Sequence, residues 1–184
     1  MKRACLTAIV LIALAALLFG CIFKQQPYRG VMSYRHDKVY LHKNDYYTVG
    51  VLSAGWARMK THARTISFYN GPYRSSITTD AICDRSEANR TLSSLAGGMA
   101  GALESRAVVE EREFMLDGRG ALLRRLTGKI DGVATELDLV VTRKNECVFD
   151  FYLVAPKDAD DAAHVDFETF YDGFRYDGRA VRGG

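Results

Sequence analysis

Three turn signals in close succession constrain the fold of this 184-residue chain more than any other feature. Asp117-Gly118, Asp131-Gly132 and Lys144-Asn145 separate four strand-like runs, at 108–116, 121–127, 133–143 and 146–154. Asp-Gly supplies the left-handed backbone at which a two-residue hairpin closes, so these runs predict a mostly antiparallel meander. Upstream, 65–69 alternates Ile66 and Phe68 with polar neighbours, Asn70-Gly71-Pro72 breaks the chain, and 76–83 sets Ile77, Ala81 and Cys83 on one face. That pattern reads as a second hairpin. An earlier strand at 47–52 runs into Ser53-Ala54-Gly55-Trp56. In the last strand Cys147, Phe149, Phe151 and Leu153 share one face while Val148, Asp150, Tyr152 and Val154 share the other, so both faces are expected to be covered. The dense charge of Glu110, Glu111, Arg112 and Glu113 reads as a solvated face or a protected edge.

Two helical patterns supply the cover. Asp84 is spaced as an N-cap with Glu87 as the reciprocal capping-box residue, and a helix is expected to run on to about Leu103. Leu92, Leu95, Met99 and Leu103 fall on one of its faces. Gly97, Gly98 and Gly101 cost such a helix about 1 kcal/mol each relative to alanine, which predicts close backbone packing there. They lie too late in the helix to form a phosphate loop. A second helix opens at Asp158 with an acidic first turn and carries the stripe Ala163, Phe167, Phe170 and Phe174, before Gly173 and Asp177-Gly178 end it. The fold class is therefore α+β: a twisted, mostly antiparallel sheet of six to seven strands between two main helices, an α/β/α sandwich.

The N-terminus decides the compartment. Lys2 and Arg3 precede an apolar stretch, 6–19, that closes on Leu18-Phe19-Gly20-Cys21, a bacterial lipobox pattern. The division that follows is a signal peptide at 1–20, a tether at 21–45 lipidated on Cys21, one α+β domain at 46–176 and a flexible tail at 177–184. Two other readings stay open, an uncleaved anchor over the uncharged 4–23 and a plain secretory signal. All three export the domain. The hydrophobic fraction of 48% and charged fraction of 26% suit a soluble body. Of the net charge of +3, an excess of +3 sits in 24–45, leaving the body near neutral. Nucleic-acid binding is not expected, and the tether's cations, with Tyr28-Arg29 and Tyr34-Arg35, suit a lipid surface or simply a solvated linker. In an oxidising envelope Cys83 and Cys147 pair as a disulfide; the other reading is two buried thiols.

No constellation announces chemistry. His36, His42, His62 and His164 are scattered, HExxH and CxxC spacings are absent, and no serine lies in GxSxG, so neither a metal site, a cofactor nor a catalytic residue is expected. His36, Asp37 and His42 read as exposed linker residues. Asp117, Asp131, Asp172 and Asp177 precede glycines and read as turn residues. Asp150, between Phe149 and Phe151, needs a partner, for which Arg124 or Arg125 is the expectation. Trp56 reads as a cap on the core, with ligand stacking the lesser reading. Trp56, Asp150 and Tyr152 are the candidate surface for a ligand or partner.

Gly55-Trp56, Ile66-Ser67-Phe68, Ala81-Ile82-Cys83, Leu116-Asp117-Gly118-Arg119, Gly128 with Asp131-Gly132, Cys147-Val148-Phe149-Asp150-Phe151 and Phe170 with Gly173-Phe174 together resemble bacterial envelope lipoproteins of PsbP-like fold. The resemblance spans about 46–175, and it implies an antiparallel sheet between helices without implying a catalytic residue. Because Ile22 follows Cys21, the resemblance to lipoproteins also implies the outer membrane, facing the periplasm. The expected role is a lipid-anchored accessory or binding protein with an envelope partner and no catalysis. The alternatives are a small-molecule or lipid-binding module, which needs a large apolar pocket, and a hydrolase or metal-dependent enzyme, which needs a buried His-carboxylate pair in a cleft.

Overall fold

A computed structural model describes residues 28–30, 33–42, 44–61, 65–159 and 161–178. The stretch read as a signal peptide at 1–20, Cys21, 22–27 of the stretch read as a tether, His62 and the residues beyond Gly178 lie outside the described residues. The strands are β1 (Tyr28–Arg29), β2 (Ser33–Arg35), β3 (Lys38–His42), β4 (Asp45–Thr48), β5 (Trp56–Arg58), β6 (Ile66–Asn70), β7 (Ser75–Cys83), β8 (Glu104–Leu116), β9 (Arg119–Ile130), β10 (Val133–Lys144) and β11 (Cys147–Pro156). Three helices, α1 (Arg85–Ala88), α2 (Leu92–Met99) and α3 (Asp161–Asp172), complete the described elements with a single 3₁₀ turn at Ala100–Ala102.

The main sheet is antiparallel, in the order β5-β6-β7-β11-β10-β9-β8, with β1 added beside β7. Its long strands are joined by the expected tight turns. Asp117 and Gly118, and Asp131 and Gly132, have φ of 49°, 73°, 49° and 80°, the paired left-handed geometry of hairpins that match strand twist. The third turn sits one residue later than expected, on Asn145 and Glu146. Lys144 stays in the ladder opposite Cys147.

Period-two alternation sends the two faces of this sheet into different packing. One face carries Phe149, Phe151, Leu153, Val140 and Leu123 against Phe167, Phe170 and Phe174, so the stripe read from the sequence is the contact of α3. Tyr47 and Tyr176 join that core. The opposite face carries Leu122, Val141 and Val148 under Leu95 and Ala96 of α2, then Leu126, Leu137 and Leu139 under Ala100 and Leu103. The result is the expected α+β sandwich.

Several expectations are corrected. The stretch read as a tether up to residue 45 belongs to the folded body from Ser33 on, because β2, β3 and β4 form a three-stranded sheet that buries Val39, Leu41 and Tyr47. His36 and Asp37 form its first turn. Tyr34 meets the Phe68 ring edge-on at 5.2 Å. The strand expected at 47–52 ends at Thr48, and Trp56 opens a strand instead of closing a turn.

The long helix expected from Asp84 is broken at Asn89 because Thr91 acts as a second N-cap, accepting from the Ser94 N–H. Glu87 turns to Arg90 at 2.8 Å and so does not complete a capping box. Gly97 and Gly101 are not close contacts. That role falls to Gly50 and Gly173, where a Cβ would strike the Thr169 carbonyl and the Gly50 backbone. The missing side chains let α3 dock directly on the strap after β4, where the Gly50 N–H donates to the Phe170 carbonyl at 2.9 Å.

Cys83 and Cys147 are disulfide-bonded and directly paired across β7 and β11. β8 is an outer edge, nearly all exposed, with register shifts between Glu104 and Ala107 and between Val108 and Glu110. Among the described residues no helix is long and apolar enough to cross a membrane.

Candidate functional site

On the α3 side of the sheet lies a cleft of about 420 Å³, lined by β8, β9, β10, the 157–159 loop and α3. Its floor is a charge network. Arg125 forks Asp138, with Nε and Nη2 each donating at 2.9 Å to a different carboxylate oxygen. His164, from the first turns of α3, places Nδ1 3.1 Å from Asp138 Oδ2 and Nε2 3.1 Å from Glu136 Oε1. Arg125 also reaches Glu110 at 3.3 Å, and Arg112 lies between Glu110 and the Tyr171 hydroxyl.

Electrostatics make the network self-consistent. Burial alone would push the Asp138 carboxyl up, but hydrogen bonds from His164 and Arg125, with their charges, hold it below the usual carboxylate range. The hydrogen bond to Asp138 raises the His164 pKa; partial burial and Arg125 oppose the rise, and the charges of Asp138 and Glu136 reinforce it. Burial and the neighbouring Asp138 raise Glu136, against the pull of His164 and Arg125. An imidazolium donating at both nitrogens has no lone pair with which to take a proton.

Glu136, Asp138 and His164 each offer a donor atom within 4.8 Å of the others, the spacing a cation would need. Arg125 already donates to both Asp138 oxygens, so a metal here would share that carboxylate with a bidentate guanidinium. The cluster is an ion-pair network joining α3 to β9 and β10, and His164 beside buried Asp138 is the His-carboxylate pair in a cleft that the enzyme alternative requires.

This linkage sets a pH dependence. Because the folded pKa of His164 lies above its unfolded value near 6.5, its stabilisation is fully present below pH 6.5 and is lost as pH rises through the folded pKa. The thermal midpoint is expected to decline across that window in the wild type and to flatten in His164→Gln. A decline of equal size in the variant would assign the effect elsewhere.

The residues singled out in the sequence fall elsewhere. Trp56 donates its indole N–H to Asp166 Oδ2 at 2.8 Å, the Ser53 hydroxyl donates to the same oxygen at 2.7 Å, and the ring leans on Tyr73. It locks the β5 turn to α3, a capping role as expected.

Asp150 and Tyr152 lie on the opposite face, the α2 side. Neither expected arginine reaches Asp150. Arg124 and Arg125 come from β9, two strands away across β10, and they pair with Glu111 and Asp138. Asp150 instead faces Asp80, its direct partner across the β7–β11 ladder. It is only 3% exposed, its Oδ1 has no hydrogen-bond partner, and its Oδ2 meets the Tyr152 hydroxyl at 3.5 Å. Burial, then the charge of Asp80, pushes Asp150 well above the usual carboxylate range. Asp80 is pushed by burial up to about 6, although it accepts from the Ala81 N–H at 2.7 Å.

Most of the cleft was latent in the sequence. Counting equally outward from the Asp131-Gly132 turn sets Arg125 opposite Asp138, and counting outward from Asp117-Gly118 sets Glu110 opposite Arg125 and Glu111 opposite Arg124. His164 carried no such signal, because its place depends on how α3 docks.

No protein-family model matches the sequence, and no curated protein matches it. Among solved structures, a protein from Bacteroides thetaiotaomicron VPI-5482 is similar over 74% of this chain, with a TM-score of 0.53 and 10% identity. This chain spans 47% of that protein's length. Cyanobacterial PsbP (CyanoP) from Synechocystis sp. PCC 6803 aligns over 85% of this chain and 95% of its own, at 12% identity and a TM-score of 0.48. The protein of unknown function PA94 from Pseudomonas aeruginosa aligns over 70% of this chain and 84% of its own, at 14% identity and a TM-score of 0.40. The likeness to the Bacteroides protein is one of fold, in keeping with an antiparallel α+β domain.

Proposed function

We propose that this chain is a lipid-anchored envelope domain of PsbP-like fold that binds a polar partner protein through the α3 cleft and carries out no reaction. The observation that carries the reading is His164, whose two nitrogens both face carboxylate oxygens at 3.1 Å. A histidine so held ties charge on α3 to charge on β10. The floor therefore acts as a rigid pattern of paired charges, while Arg112, Lys157, Asp161 and Glu168 around it present charges of both signs. Alternating signs suit a protein surface of complementary pattern and suppress mismatched partners. The lipid on Cys21, the outer membrane and the periplasmic side rest on the lipobox and on Ile22. A small-molecule or lipid module is less well supported, because the cleft is lined mainly by charged side chains and Trp56 is committed to Asp166.

The test places a photo-reactive residue in the full-length chain in cells, as Lys157→p-benzoylphenylalanine in the cleft or Ser94→p-benzoylphenylalanine on the opposite face. A single discrete adduct from position 157, absent from position 94 and lost in Cys21→Ala, is the expected result. Equal adducts from both positions, or none from either, would sink the reading.

A further inference from the structure

We propose that Asp80 and Asp150, with the Tyr152 hydroxyl beside them, form a binding site for a hard divalent cation on the α2 side of the sheet. The two carboxylates are direct partners across β7 and β11, so their side chains leave the same face of the sheet at neighbouring positions. Two acids so placed are a common sheet feature and would mean little alone.

The second observation is Asp150 itself. It is 3% exposed, and among the described residues Oδ1 has no hydrogen-bond partner, while Oδ2 meets the Tyr152 hydroxyl at 3.5 Å. Buried carboxylate oxygens are almost always satisfied, because an unmade bond there carries the full desolvation penalty. The basic side chains on this face are engaged elsewhere: Arg124 of β9 is held by Glu111 and Ser93, Arg85 of α1 by Glu146, and Arg143 of β10 by the carbonyls of Ala88 and Arg90. Glu87 of α1 is taken by Arg90 and adds negative potential to Asp150.

An environment that is acidic, buried and without an unengaged basic side chain is neutralised either by a proton on Asp150 or by a metal ion, and the open Oδ1 gives a metal a place to bind. The donors are all oxygen, two carboxylates and a phenol, which selects Mg²⁺ or Ca²⁺ over softer metals. Asp80, partly exposed, provides the entry side, and water completes the coordination.

Terbium luminescence tests this, because a tyrosine or tryptophan ring near the ion sensitises emission. Full-length protein in detergent is titrated with Tb³⁺ under excitation of its aromatic side chains. Saturable emission that Ca²⁺ or Mg²⁺ displaces is expected. Asp150→Asn, which keeps shape and removes a buried charge, should weaken binding by at least about tenfold, the lower end of the loss from removing even an outer-sphere partner. Tyr152→Phe should dim the emission, and Glu136→Gln, in the other cluster, should leave the Tb³⁺ affinity as it is in the wild type. Absence of saturable emission overturns the site. So does emission that survives Asp150→Asn but disappears in Glu136→Gln, which would move the ion to the α3 cleft.

Discussion

A chain carrying Cys83→Ala and Cys147→Ala is expected to unfold about 4 kcal/mol more easily than the wild type. The disulfide closes a loop with a sequence separation of 64 residues. In the chain-entropy model a loop of that length removes about 4 kcal/mol of freedom from the unfolded ensemble. The native cost of losing it is small by comparison, because β7 and β11 remain zipped through the ladder from Cys83–Cys147 to Ser76–Val154. The effect should therefore appear as destabilisation without rearrangement. Urea titrations of the double variant and of reduced wild type should give the same lowered midpoint, with a circular dichroism spectrum close to that of the oxidised protein. A loss below about 1 kcal/mol would mean that the unfolded chain is already held together in this region.

Phe149→Ala is the single substitution with the largest expected effect, about 4 kcal/mol, within the range of buried Phe-to-Ala changes. Phe149 is fully buried, and its ring meets those of Tyr47 at 5.1 Å, Phe174 at 4.8 Å and Tyr176 at 4.7 Å. These partners come from β4 and from the segment after α3, so one cavity loosens two elements at once. Phe149→Leu, which refills most of the volume, should recover more than half of the loss. Against a typical domain stability of about 5–15 kcal/mol, Phe149→Ala combined with loss of the disulfide is expected to leave little folded protein at 37 °C. Equal midpoints for Phe149→Ala and Phe149→Leu would contradict the packing account.

The two halves of the fold were unequally legible. Local chemistry fixes hairpins, so Asp117-Gly118 and Asp131-Gly132 announced the meander and, by counting outward, the Glu110–Arg125–Asp138 row of the cleft. Amphipathic spacing announced α3 through Phe167, Phe170 and Phe174. What stayed hidden depends on contacts far apart in sequence. Asp150 was assigned an arginine because nearby strands carry two, but strand order puts β10 between β9 and β11. Once the disulfide sets the register of β7 and β11, counting inward from Cys83 and Cys147 reaches Asp80 opposite Asp150. The pairing was thus available to anyone who trusted the cysteine bond. Of the three-stranded sheet the sequence suggests only the strand at 38–42, where Val39 and Leu41 alternate inward, because Pro27, Gly30 and scattered charge otherwise read as a tether. The break in the first helix was missed because a second cap, Thr91, outweighed the continuing apolar face.

The outer strand β8 leaves Val108 and Val109 more than half exposed, at 54% and 55%. An unpaired edge of 13 residues bearing valines would ordinarily recruit a second copy into a continuous ladder. Here both valines fall in the irregular part of the strand, where two register shifts put backbone donors and acceptors out of step with any straight incoming strand. Beyond them the net negative charge of Glu110, Glu111, Arg112 and Glu113 would work against the approach of an identical strand. The edge is thus guarded against templated growth, and the protein should remain dispersed as its concentration rises.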